Sequence, residues 1–84
     1  MKFRDFMPPE VVMGQPKVVI TGNSEALIEG HRGLFSYETG CIRVRSALGI
    51  IQVTGDGMTI DHFGREDLLI RGRVDQVSIR GEGE

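Results

Sequence analysis

Apolar residues recur at every second position in short runs along this chain, and glycine, asparagine and acidic residues separate the runs. Alternation of that kind puts successive side chains on opposite faces of an extended backbone, so it predicts strands with one buried and one wet face. Lys17-Val18-Val19-Ile20-Thr21 predicts a first strand, stopped by Gly22-Asn23, which favour the positive φ of a tight turn. Residues 24–29 predict a second strand and Leu34-Phe35-Ser36-Tyr37 a third. In Cys41-Ile42-Arg43-Val44-Arg45, Ile42 and Val44 share one face and the two arginines the other. Gly49-Ile50-Ile51-Gln52-Val53-Thr54 predicts a fifth strand, with Gly55-Asp56-Gly57 as a hairpin turn returning into Met58-Thr59-Ile60-Asp61-His62. After the charged connection Phe63-Gly64-Arg65-Glu66-Asp67, the apolar parity of Leu68, Ile70 and Val74 switches at Val77 and Ile79. That switch predicts a turn or bulge at Asp75-Gln76. Leu69 faces away from Leu68 and Ile70, so a second layer covers it or it forms an exposed docking position; two layers are the favoured expectation.

The chain therefore reads as all-β, a single small domain of short antiparallel strands. Turns at intervals of roughly 8 to 10 residues suit a meander folded into a sandwich-like pair of layers, an open barrel or a curled sheet. A β-solenoid would need a fixed repeat length, which the pattern lacks. Ahead of the strands, residues 1–16 form a distinct segment in which Pro8 or Pro9 opens a short helical turn over Glu10-Val11-Val12-Met13, ended by Gly14 and Pro16. Residues 17–80 make the β domain, and residues 81–84 are expected to fray.

Composition narrows the function classes. The twelve glycines among 84 residues are about twice the average usage and lie between strands, as turn punctuation. A domain of this size buries only about 60% of its unfolded surface, which leaves no room for a deep catalytic cleft. Ten basic residues against twelve acidic ones give a net charge of −2, and the arginines are scattered singly, which argues against nucleic acid as the main partner. A small barrel binding single strands would also want more aromatic platforms than the five present. The lone Cys41 closes no internal disulfide, and Pro8-Pro9 interrupts the N-terminus before any apolar export segment. No apolar run approaches the roughly 20 residues of a membrane-spanning helix, so a cytoplasmic location is expected.

Candidate chemistry is sparse. His31, His62 and Cys41 lack the close spacing of a metal set, so no metal and no cofactor are expected. Cys41 opens an alternating strand without an activating neighbour and reads as a structural thiol; no catalytic residue is assigned, and an enzyme is the least favoured class. The most distinctive polar segment is Glu29-Gly30-His31-Arg32-Gly33, where glycines allow a compact turn that displays His31 and Arg32. Glu29, His31 and Arg32 are accordingly the candidate binding residues, for a partner's carboxylate or for anionic lipid. Against that stands a structural role, in which His31 and Arg32 bind loop carbonyls and pin the turn, and lone pairs of this kind more often do that.

Several of these segments occur together in a known order. Pro8-Pro9-Glu10-Val11-Val12, Pro16-Lys17-Val18, Gly22-Asn23 and residues 29–33 are followed by Ile42-Arg43-Val44, Leu48-Gly49, Val53-Thr54-Gly55-Asp56-Gly57-Met58 and Leu69-Ile70-Arg71-Gly72-Arg73-Val74. In that order the chain resembles the YabP/YqfC family of sporulation proteins over about residues 8 to 80. The family commonly carries a polar residue such as Asn where this chain has Gly30, and both tolerate a left-handed turn. The resemblance implies a non-enzymatic protein of the mother cell, needed for efficient sporulation. It also implies a protein partner, the membrane protein YqfD, which would make the domain an adaptor at the cytoplasmic side of a membrane. A self-assembling subunit of a spore-associated layer, built through open sheet edges, is the alternative, and edge pairing would also make a homo-oligomer.

Overall fold

The computed structural model describes residues 15–81, and the helical turn expected before Gln15 and the tail after Gly81 lie outside them. Six strands follow in chain order: β1 (Lys17–Thr21), β2 (Glu25–Glu29), β3 (Leu34–Glu38), β4 (Cys41–Ser46), β5 (Gly49–Phe63) and β6 (Asp67–Arg80). All pairings are antiparallel, in one sheet of order β1-β2-β6-β5-β4-β3. Strands β3 to β6 form a meander, and the β1–β2 hairpin joins it on the far side of β6.

The expected hairpin at Gly55-Asp56-Gly57 is not there. β5 runs through that segment without reversing, and the reversal comes at residues 64–66, where the Gly64 N–H donates to the Asp67 carbonyl at 2.7 Å. Asp56-Gly57 makes a bulge instead: Asp56 pairs with Arg73 and Thr59 with Arg71, so Gly57 and Met58 together oppose Gly72. Gly57 does adopt the positive φ of a turn, at 61°, but neighbours on both sides keep the strand going. The Thr39 and Gly40 carbonyls accept from the N–H groups of Met58 and Gly55, at 3.0 and 3.1 Å, which occupies donors that a hairpin would have turned inward. A second bulge lies where the parity switch predicted one: Thr54 pairs with Gln76 and Gly55 with Val74, leaving Asp75 extra. Asp61 is a third, between Ile60↔Ile70 and His62↔Leu69.

Bulges increase twist and bend a strand, and three of them fold the β5–β6 ribbon over. From Ile50 to Gly64 a straight strand would reach roughly 46 Å. Yet Ile50 pairs with Arg45, the Arg45 carbonyl accepts from the Arg32 N–H at 2.8 Å, and the adjacent His31 reaches the Gly64 carbonyl at 3.0 Å. That path spans only roughly 20 Å by backbone and sheet spacings, so the two ends of the ribbon approach one another. The turns of the β1–β2 and β3–β4 hairpins clamp the bend, with the Asn23 and Ser24 carbonyls accepting from Val74 and Gly72 at 2.7 and 3.2 Å.

Folding over gives the sheet one interior. Ala26, Ile28, Leu68 and Ile70 from one half and Ile42, Val44, Ile51 and Val53 from the other are wholly buried in a single cluster with Met58 and Val74 at the bend. Burial of each large aliphatic side chain there contributes about 1.5–3 kcal/mol. Val18, Leu34, Ile60 and Val77 extend the cluster toward its open sides. Leu69 points away from it and is half-buried on the outer surface beside Leu27, its cross-strand partner.

Candidate functional site

The two glycines flanking His31-Arg32 set the geometry of the connection from β2 to β3. Gly30 has a φ of 84° and Gly33 one of 119°, both left-handed, so the chain turns tightly between the two halves of the folded sheet. The N–H groups of Gly30 and His31 both donate to the Glu66 carbonyl, at 2.6 and 3.2 Å. Arg32 and Gly33 then engage β4 as an extra rung, with Arg45 donating its N–H to the Gly33 carbonyl at 2.8 Å.

His31 is buried, 5% exposed, and its ring is fully engaged. Its Nδ1 accepts from the Gly33 N–H at 3.0 Å, so the proton sits on Nε2, which donates to the Gly64 and Asp67 carbonyls at 3.0 and 3.2 Å. The ring meets Phe63 edge-on with centroids 5.3 Å apart. His31 thus ties the β2–β3 turn to the tip of the β5–β6 ribbon. Replacing it with alanine orphans the Gly33 N–H, at about 1–3 kcal/mol, and loses the ring contact, at about 0.5–1.5 kcal/mol. His31→Ala should therefore lower stability by about 2–4 kcal/mol in urea unfolding, whereas a surface position would cost under about 0.5 kcal/mol.

Pinning the turn from below leaves Glu29 and Arg32 exposed above it. They face a cleft of about 470 Å³, with Lys17 from the start of β1 and Glu66 from the ribbon tip on the other walls. Of the three candidate residues read from sequence, Glu29 and Arg32 line this cleft as exposed side chains, and His31 supports its floor. Lys17 and Glu66 were not legible as site residues. They lie far from the turn in sequence, and only the register Lys17↔Glu29↔Asp67 brings them beside it. Two acids and two bases around a shallow opening suit a ligand that carries both signs, as a polypeptide segment does. His62, the other histidine, lies at the exposed tip with Nε2 3.3 Å from the Asp67 carboxylate, and Cys41 is half-buried on β4 opposite Thr54. Among the described residues no three metal-ligating side chains converge, and no helix is long and apolar enough to cross a membrane.

A family model described as the YabP family matches residues 13–84, which take in the whole folded sheet and the cleft. The chain belongs to the YabP family. It is also 30% identical over 71 residues to a Bacillus subtilis (strain 168) protein named "Uncharacterized protein YqfC", and the match spans 84% of this chain and 76% of that one. No solved structure matches it. Family membership agrees with the resemblance drawn from the turn and hairpin segments. The left-handed φ of Gly30 explains why Gly or Asn suits that position, although a Cβ there would sit 3.3 Å from the Gln15 carbonyl oxygen.

Proposed function

We propose that this protein is a non-enzymatic adaptor in sporulation, which holds a protein partner in the cleft beside the β2–β3 turn. The observation that carries the reading is the division of labour within the turn. His31 uses both ring nitrogens and its N–H to fix the backbone, and the exposed Glu29 and Arg32 are thereby held at the cleft rim, with no side-chain partner among the described residues. A guanidinium carried on a fixed backbone is a lower-cost contact for a carboxylate than one on a mobile loop, because the loop entropy has already been lost and only side-chain freedom remains to be given up. Family membership supports the sporulation setting, and a membrane-associated partner such as YqfD on the mother-cell side fits an adaptor of this size.

Replacing the chromosomal copy in a spore-forming host with Arg32→Glu provides the test. The variant should accumulate to the normal level and unfold at the normal urea concentration, while heat-resistant spores fall at least about tenfold, as reversal of a desolvated charge contact costs 2–5 kcal/mol. A normal spore count from the folded variant would remove the cleft from the function.

A further inference from the structure

Folding the sheet over leaves two outer faces that point in opposite directions, and their charges are opposite. On the half built from β1, β2 and the ribbon tip, alternate positions carry Glu25, Glu29, Asp61 and Asp67 outward, against Lys17 and Arg71. Arg71 is shared by Glu25 and Asp61, at 3.7 and 3.4 Å, so the carboxylates prevail. On the other half, Arg43, Arg45 and Arg80 point outward against Glu38 among the described residues, while Asp56, Arg73 and Asp75 gather at the bend, where Arg73 bonds the Asp75 carboxylate at 3.1 Å. The register Arg45↔Ile50↔Arg80 aligns two of these arginines across three strands. Each face also has apolar surface at its middle or margin. Val19, 40% exposed, continues into Leu27 and Leu69 on the acidic face. Ile50 and Phe35 lie on the basic one, where the Arg45 guanidinium stands 4.8 Å above the Phe35 ring.

We infer that the acidic outer face of one copy docks on the basic outer face of the next, so that the protein assembles head to tail. Charge complementarity selects a second copy as the occupant, since each molecule carries both the acidic surface and its basic counterpart. Opposite placement of the faces decides the form. A closed two-fold dimer needs one surface to meet itself, whereas two different surfaces on opposite sides add copies indefinitely or until a ring closes. The acidic face shares Glu29 and Lys17 with the cleft wall but not Arg32, so Arg32→Glu tests the cleft, and the substitutions below, none of them at a cleft residue, test this contact.

Sedimentation velocity on the full chain tests this. At an ionic strength of about 0.01 M, where charges act over ~30 Å, the weight-average mass should rise with concentration past that of a dimer, and at about 1 M, where the range is ~3 Å, it should return to the 9.3 kDa of one chain. Arg43→Glu with Arg45→Glu makes both faces acidic, and Val19→Lys with Glu25→Lys reverses the acidic face. Each double variant should stay monomeric at low salt with an unchanged circular dichroism spectrum, and an equimolar mixture of the two should regain large species. A monomer at low salt, assembly that stops at two copies, or oligomers indifferent to salt and to both variants would overturn the inference. So would a wild-type chain that remains monomeric while co-sedimenting with phosphatidylglycerol vesicles through Arg43 and Arg45, which would assign the basic face to a membrane.

Discussion

Gly72→Ala should lower the stability of this chain by at least about 4 kcal/mol. Gly72 holds a φ of 131°, a conformation that costs an L-residue about 1–3 kcal/mol. An added Cβ would also stand 2.6 Å from the Gly57 carbonyl oxygen and 2.7 Å from the Met58 Cα. Both are backbone atoms, so no side-chain rotation relieves the overlap, and the bulge that bends the ribbon must open. Domains of this length have about 4–13 kcal/mol of stability in total, and a loss of at least about 4 kcal/mol is expected from strain and disrupted core packing together. Gly22→Ala is the matched control. Its φ of 54° is left-handed too, but nothing lies within 4 Å of the added methyl, so it should cost only about 1–2 kcal/mol. Circular dichroism of the two variants across a urea series decides the matter. Equal midpoints would mean that residues 57 and 72 do not approach as closely as the folded-over ribbon requires.

Met58→Ala should cost about 2–5 kcal/mol, the range for emptying a buried aliphatic site, while Thr59→Ala next to it should cost under about 1 kcal/mol. Met58 is wholly buried where the two halves of the core meet, and Thr59 is exposed, its hydroxyl donating to the Asp61 carboxylate at 2.8 Å. With Met58 at the first position after a hairpin turn, as the Asp56-Gly57 pattern alone suggests, the two substitutions would differ little. At the bend of a folded ribbon, Met58 is wholly enclosed in the core cluster. A large cost at 58 beside a small one at 59, read from urea midpoints, would place the bend inside the core. Similar costs would place Met58 at the surface.

The error at residues 55–57 and the success at 75–76 have one explanation. Both are sites where strand parity or glycine content marks a local irregularity, and in both the irregularity exists. Whether it becomes a turn or a bulge depends on what lies alongside. At Gly55 and Met58 the carbonyls of Thr39 and Gly40 supply acceptors from the β3–β4 turn, so extending the strand satisfies its donors and reversing it would strand them. The glycine-flanked turn at 29–33 was legible because φ requirements are local. The role of His31 within it was not. The three hydrogen-bond partners of its ring include Gly64 and Asp67, more than thirty residues away, and a lone histidine beside an arginine looks alike whether buried or displayed.

Legible from the residues alone were the all-β character of the described part, where most strands start and stop, which side chains share a face, and the left-handed glycines of the turns at Gly22, Gly30 and Gly33, though not those at Gly49 and Gly72. These follow from steric limits on single residues and from a side-chain period of two, neither of which refers to the rest of the chain. Tertiary structure alone decided that β2 lies against β6, that the β5–β6 ribbon folds over, and that Lys17 and Glu66 face Glu29 and Arg32 across a cleft. It also gathered scattered charges into an acidic face and a basic one. Backbone donors and acceptors are the same in every strand, so local pattern offers no preference among partners. The partner is selected by which register buries Ala26, Ile28, Leu68 and Ile70 together, and that is a property of the assembled core.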